Sequence, residues 1–385
     1  MAVVVIAPDK FKGSLTAAQV AEAVAAGLAD ASPEIDTVLA PVADGGDGTV
    51  AAALAAGFDE AIADAVGPTG EPVRAPYARN GSTAIIELAA VVGPGRLPGG
   101  RLDPLGASTY GLGLVIAHAV AQGAERIVLG LGGSASTDGG AGMLQALGAR
   151  LPDAGGRELD RGGGALVGLA SIDATALMSL TQRVRVLIAS DVDNPLLGPT
   201  GAAAVFGPQK GASAADVQTL ETGLATWARV VEAATGRDLA RTPGAGAAGG
   251  TAYGALALLD AELRPGIELI LELIGFDAKL AGADLVITGE GSLDEQSLSG
   301  KAPVGVARAA ARAGIPVVAV AGRSRLDPRQ LAAAGISAAY PLSELEPDVA
   351  RSMAEAPRLL RQVGARIGTE WLALPRAGPS SPDGC

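Results

Sequence analysis

Six stretches of the sequence gather residues that can hold or move charge, five of them together with glycine. They are Pro8 to Ser14 with Lys10 and Lys12, Asp44-Gly45-Gly46-Asp47-Gly48-Thr49, Gly130 to Gly140, Ser190-Asp191-Val192-Asp193-Asn194-Pro195, Gly198 to Gly211 with Lys210, and Gly289 to Lys301 with Glu290 and Asp294. A residue without a Cβ lets backbone N–H groups come close to an anion, and a helix that starts there adds a favourable dipole. Carboxylates one residue apart, as at Asp191 and Asp193, can offer oxygens to Mg²⁺, which takes one or two carboxylates plus phosphate oxygens and water. Only five of the 29 basic residues are lysine, and Lys10, Lys12, Lys210 and Lys301 lie in or beside these loops. Lysine is a compact charge suited to phosphate or carboxylate. Phosphoryl transfer asks for little more: positioning, Mg²⁺, cationic clamps and an Asp to accept a hydroxyl proton.

Each stretch also has a plainer reading. Asp44–Thr49 could be a tight turn whose Asp caps a helix, although Gly-Gly-Asp-Gly-Thr also occurs as a nucleotide-phosphate loop in phosphofructokinase-like and diacylglycerol kinases. The Gly130–Gly140 stretch imperfectly resembles the dinucleotide fingerprint. The acidic residue due about 20 positions later falls in a turn around Asp153 instead. Ser134, Ser136 and Thr137 serve a phosphate better than a nicotinamide, so Gly132, Gly133, Ser134, Ser136 and Asp138 are candidates for binding phosphate or substrate. Asp191 to Asn194 could be an Asx-turn before Pro195, and Leu196 stands where an EF-hand needs glycine. Asn194 joins the candidates because kinases use an Asn on Mg²⁺. Glu295 and Ala302 break any Walker A pattern before and after Gly300-Lys301. His118, the only histidine, lies in an apolar helical run and reads as structural, which weakens Ser-His-Asp hydrolysis.

These loops need strands and helices to hold them. Residues 2–7 form a β-branched run without alternation, as in a parallel strand covered on both faces. Thr16 and Gln19 fit a capping box ahead of Val20, Val24 and Leu28 at helical spacing. A strand over 37–42 leads into Asp44–Thr49 and an alanine-rich helix, which opens a doubly wound α/β pattern. From about Ala65, the turns Gly67-Pro68-Thr69-Gly70 and Arg79-Asn80-Gly81-Ser82 predict hairpins around an extended run over 83–88. Further strands are predicted over 126–131, 184–189, 284–288 and 316–321, with helices near 109–122 and over 303–312. Each apolar strand ends in a loop carrying Gly with Asp, Glu, Ser, Thr or Lys, and the ends of strands are where open α/β sheets bind ligands.

A chain of 385 residues has room for two domains. Its net charge of −12 and 3% aromatic content speak against a nucleic-acid partner. The only cysteine is Cys385, so an internal disulfide and a cysteine zinc site are both excluded. The uncharged stretch from Pro104 to Ala124 contains Pro, Ser, Thr, His, Gln and several Gly, so no membrane span is expected. Residues 1–6 lack the basic start of a secretion signal, which makes the cytoplasm the expected compartment.

Taken in order, the motifs resemble the bacterial type-I glycerate kinase family. The matching blocks are Ala7-Pro-Asp-Lys-Phe-Lys-Gly-Ser-Leu15, Pro41-Val-Ala-Asp-Gly-Gly-Asp-Gly-Thr49, Gly130 to Gly140, Asp191-Val-Asp-Asn-Pro195, Val205-Phe-Gly-Pro-Gln-Lys-Gly211, Pro243-Gly-Ala-Gly-Ala-Ala-Gly-Gly250, and Ile287-Thr-Gly-Glu-Gly-Ser-Leu-Asp294 with Ser299-Gly-Lys301. The resemblance implies ATP-dependent phosphorylation of D-glycerate, to 2-phosphoglycerate or, in some members, 3-phosphoglycerate. It also implies a flavodoxin-like α/β domain made from both chain ends, over 1–64 and 281–375, and an inserted mixed α/β domain over 65–280. A disordered tail is expected over 376–385. ATP and Mg²⁺ are the expected cofactors, and glycerate and ATP the expected partners. Lys10, Asp44 and Asp191 are the candidate catalytic residues, and Asp191 and Asp193 the metal ligands. Lys12, Gly45, Gly46, Asp47, Lys210, Glu290 and Lys301 join the binding candidates named above. An NAD(P)-dependent hydroxy-acid dehydrogenase and a non-catalytic nucleotide or effector binder are the alternatives.

Overall fold

The computed structural model describes residues 2–298 and 300–372; the tail expected to be disordered, 376–385, lies outside the described residues. Eleven strands are found among them: β1 (Val3–Pro8), β2 (Asp36–Leu39), β3 (Asp59–Val66), β4 (Pro72–Asn80), β5 (Thr83–Glu87), β6 (Arg126–Gly130), β7 (Arg185–Ala189), β8 (Glu262–Arg264), β9 (Leu285–Leu293), β10 (Val317–Ser324) and β11 (Ala338–Pro341). They form two sheets in two compact units. One unit is built from both chain ends, up to Val42 and from Ile274 onward, and the other from Ala43–Leu273.

The unit of the chain ends carries a five-stranded sheet in the order β11-β10-β9-β1-β2. Every pairing in it is parallel. In this unit's own chain order the strands run 2-1-3-4-5, the flavodoxin-like arrangement, whose switch point lies between β1 and β9. β1 is buried from Val4 onward, as its unbroken β-branched run requires. Thr16 and Gln19 close a capping box on the helix Ala17–Ala31: the Gln19 amide donates to Thr16 Oγ1 at 3.2 Å and the Thr16 amide to Gln19 Oε1 at 2.9 Å. That helix packs Val20, Val24 and Leu28 with Leu359, Leu360 and Val363 of the helix Ala356–Ile367 over Ile6, Ile287 and Val320 of the sheet.

The Ala43–Leu273 unit has a six-stranded sheet in the order β3-β4-β5-β6-β7-β8. β3, β4 and β5 are antiparallel neighbours, and β5 to β8 pair in parallel. The turns at 67–70 and 80–82 therefore make the predicted hairpins. Successive residues of the central strands face opposite sides of this sheet. Ile85, Val128 and Leu187 pack under Val50, Ala53 and Leu269. Ile86, Ile127, Leu129 and Ile188 join a larger core with Leu112, Ile116, Met143, Trp227 and Tyr253.

The unit limits fall earlier than the 64/65 and 280/281 read from the sequence. The first has a local cause. An alanine-rich helix after a strand reads as the next layer of the same sheet, yet the helix Thr49–Ala55 puts Val50 and Ala53 onto the second unit's sheet. Packing assigns such a helix; its composition does not. His118 stacks edge-on to Tyr77 at 5.8 Å, with the tyrosine hydroxyl 3.2 Å from Nδ1, as a structural histidine should. Among the described residues, no helix is long and apolar enough to cross a membrane.

Candidate active site

In the chain-end unit, the charged residues gather at the carboxyl ends of β1 and β9, on either side of the switch point. The Lys10 amide donates to Asp9 Oδ1 at 2.7 Å, and Lys10 Nζ stands 3.6 Å from the same oxygen. Lys12 is exposed, on the loop whose backbone lies over Gly291. Glu290 is half-buried, and its Oε1 has no hydrogen-bond partner among the described residues. Loss of hydration raises the Glu290 pKa to about 7, against the Ser297 hydroxyl and Lys301 and with help from Asp9 and Asp294. Asp294 is held in a turn, its amide donating to Ser297 Oγ at 3.0 Å and its Oδ1 accepting from the Gln296 amide at 3.0 Å. Lys301 immediately precedes the helix Ala302–Arg312, with no side-chain capping bond. Arg323 at the end of β10, absent from the sequence reading, donates from Nε to Ser292 Oγ at 3.1 Å.

In the Ala43–Leu273 unit, the loops from four places in the chain meet at the carboxyl ends of β5 to β8. The contacts are backbone to backbone and need glycine. A Cβ on Gly132 would stand 2.5 Å from Gly46 Cα, and one on Gly266 would stand 1.9 Å from the Asp44 carbonyl oxygen. The Asp44–Thr49 loop thus lies against both the 130–140 loop and the loop after β8. Asp191, directly after β7, accepts from the Gly266 amide through Oδ1 at 2.8 Å. Protein packed around the Asp191 carboxyl removes part of its hydration, although the residue as a whole is exposed. That loss, with the charges of Asp44, Asp193 and Glu268, raises its pKa to about 6 against the Gly266 bond. Glu268 did not figure in the sequence reading. Its signal was a short one: the run Arg264-Pro-Gly-Ile-Glu268 after an apolar stretch.

Two helix starts expected to face an anion are already filled. At the helix Thr49–Ala55, Glu87 Oε2 accepts from the Gly48 amide at 3.1 Å and the Val50 amide at 3.3 Å. At the helix Ala141–Ala146, buried Asp138 accepts from the Gly140 and Gly142 amides at 3.3 Å each and from the Thr109 amide at 2.7 Å. The protein's own carboxylates take the Gly48, Val50, Gly140 and Gly142 amides at these two helix starts. Gly46 and Gly132 are where these two loops touch, Gly45 lies against Ala189 and Gly130 at the strand ends, and Gly133 lies against the Ala89 side chain.

Lys210 and Asn194 also differ from expectation. Lys210 is 6% exposed, so it lies beneath the 130–140 loop and not at its surface. Its Nζ donates to the Ser136 carbonyl oxygen. Burial lowers its pKa to about 8, and nearby Asp138 counters this. Ser134 and Ser136 are buried with it, their hydroxyls 3.0 Å apart. Asn194 Nδ2 donates to the Thr200 carbonyl oxygen at 2.8 Å and so braces its own loop. Asp47 and Asp193 remain exposed, and Asp44 is half-buried. Sequence reading also missed Glu87, a lone carboxyl at the end of an otherwise apolar strand.

A sequence model described as the glycerate kinase family matches residues 4–372. Glycerate kinase of Bacillus subtilis (strain 168) is 46% identical over 340 residues, which are 88% of this chain and 89% of that protein. Glycerate 2-kinase of Escherichia coli (strain K12) is 45% identical over 322 residues, 83% of this chain and 84% of that protein. A crystal structure from Salmonella typhimurium LT2, described as a glycerate kinase 2, superposes with a TM-score of 0.84 at 40% identity, covering 96% of this chain and 97% of that one. These relatives lend no support to a dehydrogenase or a non-catalytic binder. Across nearly its whole length, the chain belongs to the glycerate kinase family.

Proposed function

We propose that this chain transfers the γ-phosphoryl group of ATP to a hydroxyl of D-glycerate and releases 2-phosphoglycerate. One observation carries the reading: in a member of this family, the carboxylates of Asp44, Asp191, Asp193 and Glu268 crowd the ends of parallel strands, where open sheets bind ligands. In the reaction, the glycerate oxygen bonds to the γ-phosphorus as the bond from that phosphorus to the leaving oxygen of ADP breaks. The hydroxyl proton passes to a carboxylate, a role assigned here to Asp44. Lys10 and Lys12 supply positive charge to anionic oxygens of glycerate or phosphate, and Lys301 does the same beside Glu290. Lys210 and Asn194 act indirectly, by holding the 130–140 and 190–194 loops.

Asp191 and Asp193 would hold Mg²⁺. Their donor set fits: hard oxygens, with a proton affinity at Asp191 raised first by loss of hydration and then by its negative neighbours. Among the described residues, no group of three or more His, Cys, Asp or Glu forms a ready-made metal cage. The ion would offset the charge that develops on the phosphoryl oxygens. A cytoplasmic setting with small-molecule partners, and no nucleic acid, accords with the acidic composition.

Phosphorus NMR of the product from D-glycerate, ATP and Mg²⁺ tests the proposal. A phosphate on O2 couples to one proton and gives a doublet; one on O3 couples to two and gives a triplet. The doublet is expected. A triplet overturns the regiochemistry, and an absence of product overturns the function.

A further inference from the structure

Glu87 has no part in the reading above, yet it is 6% exposed at the end of β5 and sits under the Asp44–Thr49 loop. Its Oε2 receives the Gly48 and Val50 amides. Its carboxyl is also hydrogen-bonded to that of Asp47. Two carboxyl groups can share a hydrogen bond only when one of them keeps a proton, because an ionised carboxylate is acceptor-only. In the strand ladder Glu87 lies opposite Gly130, where the second loop begins. Asp47 is the titratable neighbour whose charge reaches it. The other residues it meets on the helix and on β6, Thr49, Val50 and Gly130, carry none.

We propose that Glu87 is a positioning residue for the reaction: through the proton it shares with Asp47 and through the Gly48 and Val50 amides, it sets the place of the Asp44–Gly48 loop. The proposal rests on the reading that this loop faces the reactants. Burial first, and then the Asp47 charge, raise the Glu87 pKa to about 7, against the two amide bonds. Below that pH the pair is neutral at Glu87 and the loop is tied down. Above it, two carboxylates oppose each other and the tie through the shared proton is lost, while the Gly48 and Val50 amide bonds remain. Asp44 opens this loop, and its carbonyl lies against Gly266, so a shift here moves the carboxylate assigned to accept the proton.

Glu87→Gln separates charge from geometry. Its carbonyl oxygen can accept the two amides and its NH₂ can donate to Asp47, with nothing left to ionise. Two readouts are needed: melting temperature of the ligand-free protein against pH, and kcat/KM for glycerate against pH. In the wild type, native Glu87 holds its proton up to about pH 7 while the unfolded residue releases it near 4.5, so its contribution to stability falls across that interval. The melting temperature of Glu87→Gln should therefore match the wild type near pH 4.5 and exceed it by a growing margin up to pH 7. In kcat/KM, the wild type should lose activity on an alkaline limb starting near pH 7, and Glu87→Gln should lack that limb. Glu87→Ala should lose on the order of tenfold or more at pH 6, where Glu87→Gln stays close to the wild type. A melting difference that does not vary with pH overturns the shared proton. Identical pH profiles of kcat/KM in wild type and Glu87→Gln overturn the positioning role. An inactive wild type would fail the functional reading instead, a result that the melting curves do not share.

Discussion

Asp191 does two jobs that a single substitution can separate. Its Oδ1 holds the Gly266 amide, and its charge belongs to the carboxylate group proposed to meet Mg²⁺. Asp191→Asn keeps an oxygen for that amide and removes the charge. If the charge stabilises the transition state, turnover should fall ~10²-fold or more while the melting temperature holds or rises. Near-normal turnover would take Asp191 out of the active site; a fall in both activity and melting temperature would leave it a scaffold. Sequence reading found Asp191 because two carboxylates at the end of an apolar strand are conspicuous. It missed Glu87 and Glu268 because each is a lone acid in an apolar context, and it made Lys210 a ligand-binding candidate because of its glycine-rich surroundings. Whether a charge in such a run points at solvent, at a helix start or under another loop depends on segments distant in the chain. For Lys210 the deciding contact is Ser136, for Glu87 it is Gly48.

At the scale of elements, glycine decides how closely the loops of the Ala43–Leu273 unit can approach. Gly266 and the Asp44 carbonyl oxygen meet where a Cβ would stand only 1.9 Å away, and the obstacle is backbone, which cannot swing aside. Gly266→Ala must push the loop after β8 away from Asp44, at a cost of about 1–3 kcal/mol for overpacking. Activity should fall further than stability explains, because Asp44 and Asp191 both lie at that contact. Gly95→Ala is the control: nothing stands within 4 Å of its Cβ, so stability should change by less than about 0.5 kcal/mol. Equal effects of the two substitutions in urea unfolding would show that the contact is slack. Most elements were legible beforehand. The unbroken apolar runs became β1, β5, β6, β7, β9 and β10, and the Thr16–Gln19 box capped its helix. The helix Ala214–Thr235 was not foreseen, although Ser213 and Asp216 cap it as Thr16 and Gln19 cap theirs. Attention lay on the glycine loop before it. β8 and β11 are too short for periodicity to register.

For the whole molecule, acidity is the governing property. Sequence alone gave the net charge of −12, but which carboxyls burial would hold neutral follows only from the fold. Glu87 and Glu290 both have native pKa values near 7, mainly through loss of hydration, against an unfolded value of 4.5. Between those values the native state binds more protons than the unfolded state, so their contribution to stability declines as pH rises through the interval. Repulsion among the many unprotonated acids works in the same direction. Opposing this, Asp30, Asp153, Asp216, Glu272 and Glu370 are held below their usual range, mostly by hydrogen bonds from Arg361, the Arg157 amide, Ser213, Arg126 and Arg366 in that order. Their contribution is present above the unfolded carboxylate range and is lost as pH falls through the native values. The two trends cross on the acid side of neutrality. Urea unfolding of the ligand-free protein should therefore show its greatest stability near about pH 5 and a steady loss toward pH 7.5. The double variant Glu87→Gln/Glu290→Gln should flatten that loss, leaving the slope due to Asp191 and to general repulsion, the second of which added salt should reduce further. A midpoint that climbs from pH 5 to pH 7.5 in the wild type would mean that neither buried carboxyl keeps its proton in the folded state.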